Sequence, residues 1–238
     1  MVVQKDMPGL MRHRRSMIFA AVILVAAAIG DGRLWADDVD TTPAKLSGHA
    51  LIDALRRGGY ILFLRHGSTI DDQKDTDRDH LDNCSKQRNL SDRGRAGARA
   101  VGEAFRVLRI PVGDVRSSPY CRCIDTATLA FGRVEKDAKL ALSVGASKRE
   151  RDDLVRALQD KLTAAPAAGQ DTVLTGHTAN LKAAAGVWPN SDAEVLVFEP
   201  RGSGGFTYIG RVTLEEWPGL VAEIAPPPPA GALDGGAP

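Results

Sequence analysis

The chain has 238 residues, about one and a half times a common domain length, so one domain with extensions is expected. Apolar residues make up 43% and charged residues 26%, which excludes a disordered chain, a fibrous protein and a polytopic membrane protein. The formal charge of +1, from 31 Lys and Arg against 30 Asp and Glu, excludes a generally basic nucleic-acid binder. In chain order, Arg12, His13, Arg14 and Arg15 come first, then the apolar run Met17 to Ile29, then small and polar residues ending Leu34-Trp35-Ala36. This pattern predicts a secretory signal over residues 1–36 and a periplasmic or secreted protein, with an uncleaved inner-membrane anchor as the alternative. As a helix the apolar run reaches roughly 20 Å, too short for a hydrocarbon layer of about 30 Å. Removing residues 1–36 takes away five bases and two acids, for a mature charge of −2. No stable membrane span is then expected. Residues 37–44 read as a flexible polar linker, 45–224 as the folded domain and 225–238 as a disordered Pro/Gly/Ala tail.

Within the domain, strands and helices alternate. His49 to Arg57 has a helical apolar face, closed by Gly58-Gly59. Tyr60 to Leu64 is a continuous apolar run, as expected of a strand buried on both faces. Residues 68–90 are polar and Asp-rich and predict a long loop. Ser91 caps a helix whose apolar face runs through Ala96, Ala100, Val101, Ala104, Phe105 and Leu108. A strand over Val112–Ser117, a helix over Tyr120–Phe131, an amphipathic helix over Glu150–Leu162, a strand over Thr172–Thr175 and a helix over Ala179–Ala185 follow. Val195–Glu199 and Phe206–Leu214 close the domain as a strand pair around the turn Gly202 to Gly205. The fold class is α/β: a three-layer α/β/α sandwich with a mostly parallel central sheet.

Such sheets place their sites beyond the carboxyl ends of the strands. The first strand ends in Leu64-Arg65-His66-Gly67, the second in Ser117-Ser118-Pro119-Tyr120-Cys121-Arg122, and the strand at 172–175 in Thr175-Gly176-His177. A lone His after a strand is commonly a solvated or packing residue. Two His and two Arg at three strand ends fit packing poorly, because a buried Arg without an anion is costly. A bound phosphate settles them together: the guanidinium fork matches its oxygens, and imidazole is a competent nucleophile.

Arg65-His66-Gly67 after an apolar strand resembles the RHG signature of the histidine phosphatase superfamily, the phosphoglycerate mutase-like fold. Ser118-Pro-Tyr-Cys-Arg122 followed by Asp125-Thr126-Ala127 resembles its S-P-x-x-R … (E/D)-T-A element, Leu90-Ser91-x-x-Gly94 its L-(S/T)-x-x-G helix start, and Gly176-His177 its second histidine. The resemblance runs from about Tyr60 to Gly186. It implies a phosphatase with a phosphohistidine intermediate, no metal and no cofactor, acting on a phosphorylated small molecule or envelope sugar and not on nucleic acid. A phosphomutase or a non-catalytic phospho-ligand binder are the alternatives, and the oligomeric state stays open.

Carried over residue by residue, His66 is the nucleophile, and Arg65, Arg122 and His177 clamp the phosphate oxygens. Gly67 allows close backbone approach to phosphate, Thr69 joins the phosphate contacts, and the helix opening near Tyr120 points N–H groups at the anion. Asp72 falls where many members carry a phosphate-contacting Asn, and an aspartate there repels phosphate. One branch of the family keeps an acid after the second His, where this chain has Thr178-Ala179-Asn180. The other places a Glu where this chain has Glu150, 28 residues after Arg122, with Asp152 and Asp153 beside it. Glu150 is then the candidate general acid, or simply a first-turn helix acid favoured by the dipole. Without an acid, the enzyme prefers good leaving groups such as phosphohistidine or phosphoanhydrides.

Of the three cysteines, Cys84 is expected to pair with Cys121 or Cys123, tying the long loop to the helix that carries Arg122. His49 is read as solvated. His80 with Asp75, Asp77 and Asp79 is read as a solvated acidic lid and not a metal site, its acidity weighing against polyanionic substrates. Trp188 and Trp217 are read as packing residues.

Overall fold

The computed structural model describes residues 45–224; the expectations for residues 1–36, 37–44 and 225–238 lie outside the described residues. A six-stranded sheet forms the middle layer. It comprises β1 (Ile61–Arg65), β2 (Val112–Ser117), β3 (Glu135–Lys136), β4 (Asp171–Gly176), β5 (Val195–Pro200) and β6 (Phe206–Val212) in the order β3-β2-β4-β1-β5-β6. The β3, β2, β4 and β1 pairings are parallel, and β5 runs antiparallel to both β1 and β6.

Alternation along β1 builds the two helical layers. Leu62 and Leu64 face a core shared with α1 (Gly48–Arg57), α2 (Asp92–Val107), α3 (Cys121–Phe131) and α6 (Trp217–Ile224). Ile61 and Phe63 face a second core with Leu158 and Leu162 of α4 (Lys148–Thr163) and Leu181 and Ala184 of α5 (Thr178–Ala185). The expected α/β/α sandwich is the observed fold. Ser91 caps α2 as expected, its Oγ accepting from the Gly94 N–H at 3.1 Å. Gly58, at φ 71°, ends α1 where a Cβ would lie 2.4 Å from the Gly169 carbonyl carbon.

Two elements were not anticipated. β3 is two residues long, below any periodicity, and α6 contains a Pro and a Gly within its eight residues. Trp217 is buried at 1% exposure and does pack, but Trp188 is 56% exposed and does not. His49 is exposed and faces Glu223 at 3.5 Å. Among the described residues no helix is long and apolar enough to cross a membrane.

Candidate active site

The sheet register brings three strand ends level. Arg65 stands opposite Gly176, and Ser117 opposite Thr175. The next residues stay tied to the sheet, the His66 N–H donating to Gly176 O at 3.1 Å and the Ser118 N–H to Thr175 O at 2.9 Å. His66 and His177 thereby emerge side by side, ring centroids 5.5 Å apart and edge to face. Together with Arg65, Arg88 and Arg122 they line a cavity of about 260 Å³, whose far wall includes Leu142 and Val144.

His66 Nδ1 lies 2.9 Å from the Gly67 carbonyl oxygen, which can only accept. The ring proton is therefore on Nδ1, and Nε2 carries the lone pair. Burial first, and then Arg122, Arg65 and Arg88, push the His66 pKa down to about 3, so the ring is neutral at physiological pH. Burial likewise holds His177 well below the ordinary histidine value, with Arg122 adding to the effect. Its Nε2 is 2.8 Å from the Ser118 hydroxyl, which fixes the ring.

The two strand-end arginines have donors to spare. Arg122, 1% exposed, donates from Nη1 to Asp75 Oδ1 at 2.9 Å and stacks over Tyr120 at 4.5 Å. Arg65 donates from Nη2 to Asp192 Oδ1 at 3.0 Å. In both, the buried Nε has no partner among the described residues. A buried unsatisfied donor costs about 1–3 kcal/mol, and a phosphate oxygen in the shared cavity would relieve it.

Gly67 has a different task from the one expected. Its N–H donates to Thr126 Oγ1 at 3.0 Å, so it is already occupied. Thr126 in turn donates to Arg122 O at 2.7 Å, and this hydroxyl ties the turn after β1 to the first turn of α3. A Cβ on Gly67 would lie 2.7 Å from Gly94 O, and one on Gly94 only 2.0 Å from Ser68 O. The two glycines are needed for the turn to touch α2. Thr69 pairs with Leu90 as an isolated bridge and does not line the cavity, and Asp72 is exposed outside it. The opening of α3 is also not free for an anion: Gln87 Oε1 accepts from the Cys121 N–H at 3.0 Å, and Ser118 Oγ from the Tyr120 N–H.

Glu150 is not brought to the cavity. It sits exposed in the first turn of α4, its N–H capped by Ser147 Oγ, and lines a separate depression with Arg149 and Asp153. The helix docks through Leu154, Leu158 and Leu162, which turns Glu150 to solvent. Asp152 pairs with Lys148 at 2.6 Å, and Asp153 pairs with Arg156. Sequence reasoning missed Arg88 as a cavity residue and Asp75 and Asp192 as the partners of the two arginines. Arg88 stood two residues before the Leu90-Ser91 helix signal, an available clue; the two aspartates are placed only by loop folding.

Cys84 and Cys121 form a disulfide, which ties the 68–90 loop to the first residue of α3. Cys123 is free, and burial pushes its thiol up to about 12. Among the described residues no cluster of three His, Cys, Asp or Glu could hold a metal ion.

Two neutral imidazoles among three guanidiniums define a site for handling a phosphoryl group. Residues 61–152 match the family model described as Histidine phosphatase superfamily (branch 1). Over those residues the chain is similar to that superfamily. Similar solved structures include a phosphoserine phosphatase mutant from Entamoeba histolytica with phosphoserine, at 13% identity and TM-score 0.47, covering 66% of this chain and 98% of that one. Another is the mycobacterial glucosyl-3-phosphoglycerate phosphatase with inorganic phosphate, at 18% identity and TM-score 0.46, covering 63% and 94%. A third is the protein histidine phosphatase SixA with tungstate, at 15% identity and TM-score 0.45, covering 66% and 98%. The search of curated proteins found no match.

Proposed function

We propose that the protein is a phosphatase and that it works through a phosphohistidine on His66. One observation carries this reading: a neutral His66, its proton held on Nδ1 by Gly67 O, offers the Nε2 lone pair within a cavity lined by three arginines. Nε2 attacks phosphorus, the bond to the leaving oxygen breaks, and Arg65, Arg88, Arg122 and His177 hold the charge on the oxygens left behind. Water then attacks the phosphohistidine, and the electron pair of the N–P bond returns to Nε2. The reading needs no metal and no cofactor. Its substrate is a phosphorylated small molecule or envelope sugar. Export rests on the N-terminal pattern, and the Cys84–Cys121 disulfide supports an oxidising compartment.

Turnover of an aryl phosphate by the purified protein, quenched in base, should trap acid-labile, base-stable phosphate on the wild type. His66→Ala should keep the fold, by circular dichroism, and lose at least about a thousandfold in rate, the scale of removing a catalytic nucleophile. Retention of activity within about tenfold, a residual loss too small for a nucleophile, would sink the reading.

A further inference from the structure

A second cavity of about 360 Å³ adjoins the catalytic one and shares three of its wall residues, Arg88, Leu142 and Val144. The wall it does not share carries Lys74, Asp75 and Arg78. Three cations thus face it against one carboxylate, and that carboxylate already accepts from Arg122. Arg78 is anchored to the Leu142 and Val144 carbonyls, which holds the wall in place. Among the described residues the side chains of Lys74 and Arg88 make no ion pair or hydrogen bond. The remaining acids of the loop lie outside the cavity: Asp71, Asp72, Asp79 and Asp82 are exposed, and Asp77 pairs with His80. The expectation that an acidic lid disfavours polyanions is therefore reversed at the cavity wall.

A second observation concerns the leaving group. Among the described residues no carboxylate lines the catalytic cavity, and Asp75 and Asp192 are engaged by arginines. The site has no acid poised to protonate a departing alkoxide. A leaving group must then depart as a stable anion, and a basic neighbouring cavity should hold it.

We infer that the substrate is a phosphoanhydride, whose terminal phosphoryl goes to His66 while the departing phosphate is received by Lys74, Arg78 and Arg88. The inference rests on the phosphatase reading above. His66 Nε2 forms the N–P bond, the P–O bond to the bridging oxygen breaks, and that oxygen takes the electron pair with no proton required. Electrostatic stabilisation by the second cavity replaces general acid catalysis.

The test compares kcat/KM for pyrophosphate with that for glycerol phosphate, phosphoglycerate and phosphoramidate, with p-nitrophenyl phosphate as reference. Phosphoglycerate offers a second anion but an alkoxide leaving group; phosphoramidate offers a good leaving group without a second anion. Pyrophosphate should exceed all three by about tenfold or more, a modest discrimination for a matched polar site. Lys74→Gln, at an exposed position that should fold normally, should lower the ratio of pyrophosphate to p-nitrophenyl phosphate by about threefold to fivefold, the scale of one solvent-accessible charge. The inference is overturned if p-nitrophenyl phosphate is hydrolysed but pyrophosphate has no advantage over any one of the three, or if the ratio is unchanged in Lys74→Gln. Failure to hydrolyse p-nitrophenyl phosphate would instead bring down the phosphatase reading itself.

Discussion

His66 owes its tautomer and its neutral state to one hydrogen bond and to burial. Gly67 O selects the tautomer, and desolvation beside three arginines keeps the ring neutral far below the ordinary histidine range, at a pKa of about 3. Protonation of the proposed nucleophile should thus impose no acid limb near pH 6.5. For an aryl phosphate, kcat/KM should stay free of a histidine limb from pH 8 down to about 5, where more than nine-tenths of such a ring remains neutral. A loss of activity titrating at pH 6–7 that remains once the substrate's own ionisation is accounted for would contradict it. Glu150→Gln should leave alkyl phosphate hydrolysis within about twofold, because surface substitutions away from the site seldom reach further. A selective loss on alkyl over aryl phosphates would restore Glu150 as the acid. At this scale the four were legible because Arg65 ends a buried strand, His66 and His177 directly follow one, and Arg122 lies in the turn and helix start just after one. Arg88 and Asp75 were not, since their positions depend on how a long polar loop folds back.

The elements meet at two contacts that make the site rigid. One is the close approach of Gly67 and Gly94, which explains why an L-S-x-x-G helix start accompanies an R-H-G turn. Gly94→Ala would place a Cβ 2.0 Å from Ser68 O, against backbone that cannot easily give. It should cost about 1–3 kcal/mol, the range for overpacking, and reduce kcat by displacing His66. A urea titration and a rate measurement on the same sample check both; unchanged stability would show that the backbone absorbs the methyl. The other contact is the Cys84–Cys121 disulfide, which spans 37 positions. Replacing both cysteines by Ser should remove about 3–4 kcal/mol by the chain-entropy estimate and raise KM for phosphate esters, since the loop carrying Asp75 and Arg88 is released from α3. A variant as stable as the wild type, with the same KM, would mean the loop is held by its hydrogen bonds alone. The pairing of Cys84 with one of the two downstream cysteines was legible from their spacing. The choice of Cys121 was not, because it depends on α3 burying Cys123 towards His177. Long elements such as β1 and α2 were read from their apolar pattern. β3 escaped because two residues carry no period, and α6 because a Pro and a Gly interrupt its eight residues.

Across the whole sheet, two kinds of buried ionisable group lie at opposite ends and tilt stability in opposite directions with pH. At the site end, His66 and His177 resist protonation in the folded state but not in the unfolded one. Their stabilisation is fully present above the unfolded value of about 6.5 and is lost as pH falls towards the folded value. Asp171 opens β4, at the end of that strand away from the site, and is fully buried. Its Oδ1 accepts from the Tyr60 N–H at 2.9 Å, its Oδ2 has no partner among the described residues, and burial raises its pKa from 3.8 to about 7. The folded state therefore holds this proton more tightly than the unfolded one. The contribution of Asp171 is present below pH 3.8 and is lost as pH rises through about 7. Asn at this position keeps an acceptor for Tyr60 and cannot ionise. Any fixed cost of its amide is the same at every pH, so the informative quantity is the change in the stability difference between Asp171→Asn and wild type. That difference should move in favour of the variant by about 1–3 kcal/mol between pH 4 and pH 8, the scale of a strongly shifted but imperfectly isolated carboxyl. Urea midpoints for both proteins at pH 4, 6 and 8 provide the measurement. A difference that stays constant across the three would mean that Asp171 ionises normally in the fold.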